Sequence, residues 1–104
     1  MITNVQIEST STTRVFLSSG ESAITTVFFC NTSDVDDTTI DVYIVPAAGV
    51  YGASTQVMSN LALPAGETFV FDLEKLILEN AASIWAIATI DKVVTATVSS
   101  VSIS

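Results

Sequence analysis

Runs of β-branched and aromatic residues that alternate with polar ones recur at intervals of about 8 to 12 residues, each closed by a turn rich in Gly, Pro, Asn, Asp or Ser. No apolar spacing of three and four persists beyond one turn, so the chain cannot hide its apolar side chains on helix faces. Strands with one greasy side must be covered by other strands, and the expected fold is all-β: a single antiparallel two-sheet sandwich of seven or eight strands. Immunoglobulin-like and jelly-roll wirings both fit this pattern. At 104 residues, with no Pro/Gly-rich linker, one core is expected. Residues 13–104 form the sandwich, and residues 1–12 form an added strand or an arm that leans on a neighbouring copy, because Ser9 to Thr13 is a run of Ser and Thr.

Along the chain, Ala23 to Cys30 is a central strand in which Ile24, Thr26, Phe28 and Cys30 share one face. Val27 and Phe29 make its other face apolar too, which implies burial on both sides. Ile40, Val42 and Ile44 alternate with Asp41 and Tyr43 until Pro46 stops the ladder. Val57, Leu61 and Leu63 share a face, and Pro64-Ala65-Gly66 then turns the chain, hairpin-like, into Phe69, Phe71 and Leu73. Asp72 to Leu78 reads as one helical turn, the only helical element expected, because its Leu and Ile residues are too crowded for alternation. Ile84, Ala86, Ala88 and Ile90 alternate with Trp85 and Ile87, and Asp91-Lys92 makes a turn. The apolar phase of the last strand then shifts near Ser99-Ser100, predicting a bulge or a change of partner there.

Composition removes most chemistry. Eleven carboxylates oppose Arg14, Lys75 and Lys92, a net charge of −8, so no basic patch exists to release counterions from nucleic acid. There is no histidine, no G-x-S-x-G elbow and no phosphate-cradling Gly-rich loop, and Cys30 lies among apolar neighbours that disfavour a thiolate. The expectation is a non-enzyme without cofactors. Met1 leads into polar residues with no basic start and no apolar h-region, and no run is long enough to span a bilayer, so neither a secretory leader nor a membrane anchor is expected. Asn31-Thr32-Ser33 matches a glycosylation sequon but reads as a polar turn. Asp34, Asp36, Asp37 and Asp41 are a weak calcium candidate. They lack the glycine and distal glutamate of an EF-hand loop, and a solvated turn explains them more simply.

The aromatics divide into two groups. Phe16, Phe28, Phe29, Phe69, Phe71 and Trp85 lie on expected strands and are assigned to the core. Tyr43 falls on the face opposite Ile40 and Val42, and Tyr51 sits in the Gly-flanked loop after Pro46, so both are interface candidates. Met1, Ile2, Val5 and Ile7 join them as contacts of the N-terminal arm.

The stretch Ala23-Ile24-Thr25-Thr26-Val27-Phe28-Phe29-Cys30-Asn31-Thr32-Ser33, then Val42-Tyr43-Ile44-Val45-Pro46, resembles a recurrent small protein of tailed bacteriophages, especially cyanophages. Leu63-Pro64-Ala65-Gly66-Glu67-Thr68-Phe69, Glu74 to Asn80, and Val94-Thr95-Ala96-Thr97-Val98-Ser99 are similar to it as well. After Asn80 the chain has Ala81-Ala82-Ser83 where that pattern has a Gly-Asp turn. The resemblance implies a β-sandwich of the virion, made in the host cytoplasm, assembling in many copies and bringing no catalytic residues with it. The expected role is capsid decoration or cementing, by self-association and docking on the major capsid protein. A neck, tail or fibre accessory role is the alternative, and a carbohydrate-binding module ranks below both.

Overall fold

The alternating segments become eight strands in the computed structural model: β1 (Ile2–Ile7), β2 (Thr13–Leu17), β3 (Ser22–Asn31), β4 (Thr38–Val45), β5 (Gln56–Leu63), β6 (Thr68–Leu78), β7 (Ser83–Ala88) and β8 (Val94–Ser102). The structure describes residues 2–52, 54–90 and 93–102, and for residues 71–75 the backbone only. The expected Asp91-Lys92 turn, Met1 and the Phe71 side chain lie outside what is described.

Two four-stranded sheets, ordered β1-β8-β3-β6 and β2-β7-β4-β5, face each other, and every pairing is antiparallel. Among the connections only β4 to β5 stays within a sheet; all others cross to the opposite one. That alternation, with β8 inserted between β1 and β3 and β7 between β2 and β4, is the jelly-roll wiring. Ile24, Val27 and Phe29 of β3 and Val94, Ala96 and Val98 of β8 supply one inner layer. Val15 and Phe16 of β2, Ile40 and Val42 of β4, and Ile84, Ala86 and Ala88 of β7 supply the other.

Irregularities correct several expectations from the sequence. The Asp72 to Leu78 segment is not a helical turn but the second half of β6: Ile24 faces Leu76 while Thr26 faces Asp72, so residues 73–75 are accommodated opposite the single Thr25. The ladder absorbs the crowded Leu and Ile spacing as a bulge. The same irregularity at Thr25 reverses the phase of β3, so Ile24, Val27 and Phe29 point inward while Phe28 points out, and β3 is not buried on both sides. The bulge expected near Ser99-Ser100 thus lies on the partner strand, and β8 itself alternates through Ser100.

Pro64-Ala65-Gly66 does not close a hairpin, because β5 and β6 belong to different sheets. Gly66 has φ +77° and the Glu67 N–H bonds the Pro64 carbonyl at 3.1 Å, a tight turn whose third position favours glycine. Asn31 pins this crossover: its backbone pairs with Gly66 and Glu67, and its Nδ2 donates to the carbonyls of Asp36 at 2.7 Å and Leu63 at 2.9 Å. In β5, Asn60 takes φ +52° and shifts the register. Met58, rather than the expected Val57, therefore packs with Leu61 and Leu63 against the core. At the opposite end, buried Ser18 ties the β2–β3 turn to the β6–β7 turn through its backbone bonds with Ala81 and Ala82.

Candidate functional site

On β7 the inward positions are taken by Ile84, Ala86 and Ala88, and a strand's period of two turns Trp85 outward. Trp85 is therefore half-buried on the exterior of the β2-β7-β4-β5 sheet and not in the core where the sequence reading put it. The same rule places Tyr43 outward on β4, because Ile40 and Val42 point in, and Tyr43 stands directly across from Trp85 in the ladder. Arg14 of β2 is in register with Trp85 on its other side, and Gln56 of β5 is in register with Tyr43. A row of Arg14, Trp85, Tyr43 and Gln56 thus crosses the sheet, roughly 14 Å at ordinary strand spacing.

The loop after Pro46 lays a third ring on this row. It is held by its own bonds: Gly49 N–H to the Pro46 carbonyl, Thr55 N–H to the Gly52 carbonyl, and Ile44 N–H to the Thr55 carbonyl, each at 3.0 Å. Tyr51 at its tip lies 5.2 Å from the Trp85 ring centre and 5.9 Å from that of Tyr43, tilted by 38° and 57°. These separations suit tilted aromatic pairs. The indole is anchored from below by its Nε1–H, which donates to Ser83 Oγ at 2.7 Å. The two tyrosines picked out in the sequence therefore converge, Trp85 completes the cluster, and Arg14 is its neighbour in the ladder. The reasoning that exposed Tyr43, an aromatic out of phase with its strand's aliphatics, applies equally to Trp85.

The other exterior, on β1-β8-β3-β6, has different chemistry. β1, β3 and β8 contain no charged residue, and the charged residues of this sheet, Asp72, Glu74 and Lys75, all belong to the edge strand β6. Phe28 and Val70 are paired and exposed, as are Ile77 and Val101 on either side of Ala23. The polar groups between them bond each other across strands. Thr25 Oγ1 reaches the Ser99 carbonyl and hydroxyl oxygens at 3.1 Å, and Thr97 Oγ1 donates to Asn4 Oδ1 at 2.7 Å.

The N-terminal candidates separate. Met1 is outside the described residues. Ile2 is 69% exposed on the uncharged face, whereas Val5 turns inward and lines a groove of about 250 Å³ between β1 and β2. Ile7, expected to touch a neighbour, is 0% exposed within this chain's own core, because β1 pairs along its whole length with β8. The segment is thus the edge strand of its own sheet and not a detached arm.

The structure does not bring the four aspartates together. Asp34 and Asp36 are exposed, Asp37 Oδ1 accepts the Ala65 N–H at 2.9 Å, and Asp41 Oδ1 accepts the Asn60 N–H at 2.7 Å in the middle of the sheet. Among the described residues, no group of three or more acidic, Cys or His side chains is placed to hold a metal ion. Asn31 of the sequon is 0% exposed and fully bonded, so its amide is not accessible for modification in this fold. Cys30 is half-buried on the outward side of β3, between Thr68 and Thr95, and not in the core.

Fold and surface together define a class, a jelly-roll sandwich with two unlike exteriors. No protein-family model, curated protein or solved structure matches the chain.

Proposed function

We propose that this protein is a non-enzymatic structural component of a bacteriophage virion, a capsid decoration or cement protein that self-associates and docks on the major capsid protein. The observation that carries the reading is the exterior of β1, β8 and β3, three neighbouring strands without a charged residue. Two copies at −8 each repel one another, so they can meet only across a surface that keeps carboxylates out of the contact. These three strands hold no carboxylate, and their hydroxyl and amide groups already bond to one another, which lowers the cost of removing them from water. Strands of 6, 10 and 9 residues side by side give these three a footprint of roughly 400 Å², about half of the ~800 Å² per partner of a standard interface. The jelly roll is also a common architecture of capsid proteins, a fold-level analogy that agrees with the phage resemblance of the sequence.

The test is mass spectrometry and cryo-electron microscopy of virions from the phage that encodes the chain. The chain is expected in many copies per particle, as jelly-roll density on the capsid with the uncharged face turned toward a second copy. Its presence at the neck or tail would move the role to the accessory alternative, and its absence from purified virions would refute both.

A further inference from the structure

We propose that Tyr43, Tyr51 and Trp85, with Arg14, Asp41 and Gln56 beside them, form a binding site for the neutral pyranose units of an oligosaccharide. This is a second function, independent of the face assigned to assembly.

Three observations point to a sugar. The first is the pairing of ring faces with hydrogen-bonding groups. The C–H groups on one side of a pyranose carry partial positive charge and stack against the negative face of an aromatic ring. Its hydroxyls both donate and accept, which matches a guanidinium on one flank of the row and a carboxylate one outward position along β4. Gln56 donates its Nε2 to the Met58 carbonyl at 3.0 Å, so its Oε1 remains as an acceptor beside Tyr43.

The second observation is preorganisation. Trp85 is fixed by Ser83, and the Tyr51 loop is closed by its own backbone bonds, so little ordering remains to oppose a weak ligand.

The third is size. Tyr51 is 46% exposed and the other two rings are only half-buried, so the three offer on the order of 200 Å² of aromatic surface, given that each such side chain carries about 150–250 Å². A protein partner needs about four times as much, whereas one or two sugar rings need no more. The net charge of −8 disfavours polyanionic glycans and leaves neutral ones as the fitting class.

Trp85 is the only tryptophan, so intrinsic fluorescence reports this site and nothing else. The full chain is titrated with maltotriose, cellotriose, mannotriose and chitotriose in turn. At least one should produce a saturable change in Trp85 emission. Tyr51→Ala and Arg14→Ala should each weaken that response by about tenfold, with circular dichroism and sedimentation unchanged. Tyr51→Ala acts on an exposed loop tip, and Arg14→Ala gives a second reading away from the loop. No saturable change with any of the four sugars at hundreds of millimolar overturns the proposal, and so does a response equal in wild type and both variants. If Tyr51→Ala instead alters the sedimentation of the sugar-free protein, the trio is a protein contact and the sugar assignment is wrong.

Discussion

On the exterior of β1, β8 and β3 the outward positions include exposed Ile2, Phe28 and Val101 among hydroxyl and amide groups that bond one another, Thr25 with Ser99 and Thr97 with Asn4, and no charge. On the β2-β7-β4-β5 exterior they include the aromatic rings of Tyr43 and Trp85, with Arg14 and Asp41 beside them and the Tyr51 loop folded across. Both faces stand on one shared core, and neither makes it stable. The inner layers and the crossovers pinned by Asn31 and Ser18 do that. The two exteriors are therefore free to differ: one suits burial over a broad area, the other a small ligand held by a few oriented groups.

The strongest way to break the contrast is to remove what the faces share. Asn31→Ala strips partners from the Asp36 and Leu63 carbonyls and the Ser33 N–H, and should cost about 3–4 kcal/mol in urea unfolding, abolishing the properties of both faces together. Phe28→Glu sharpens the contrast by acting on one side only. Placing a carboxylate on the uncharged strand β3 should weaken self-association about 100-fold, or ~2.7 kcal/mol, while the circular dichroism spectrum and the sugar response stay near wild type. Tyr51→Ala is the complement: a stability loss below about 1.5 kcal/mol in thermal melts, with self-association intact. The smallest effect is expected at an end that belongs to neither face. Ala81 sits at φ +70° in the turn bonded to Ser18, so Ala81→Gly should raise stability by about 1 kcal/mol and leave both surface behaviours unchanged.

Ala81 also shows what the sequence could reveal. Its backbone adopts the left-handed conformation that glycine favours, although no glycine stands there to announce it, so the turn carries strain that the residue type does not signal. The strands and the two-layer sandwich were legible because hydrophobic alternation reports which side of each strand is covered. Sheet membership was not: Pro64-Ala65-Gly66 has the chemistry of a hairpin, but whether β6 returns beside β5 or crosses over depends on Asn31, distant in sequence. Phase was lost wherever a bulge intervened, so Phe28 and Val57 changed sides at Thr25 and Asn60. Within the aromatic cluster, Tyr43 and Tyr51 were legible from phase and loop context. Trp85 was hidden by the general preference of large aromatics for cores, and Arg14 by the absence of any local signal linking it to a strand seventy residues away.

The central claim, that this chain assembles through the uncharged strands of one exterior against its own charge repulsion, is tested most directly by sedimentation velocity of wild type and Phe28→Glu over a concentration series at low and high salt. The wild-type protein should associate, and more strongly as salt screens the −8 charge, while Phe28→Glu stays monomeric under the same conditions. Wild-type protein that remains monomeric throughout, association that weakens with salt, or equal association of the variant would contradict it.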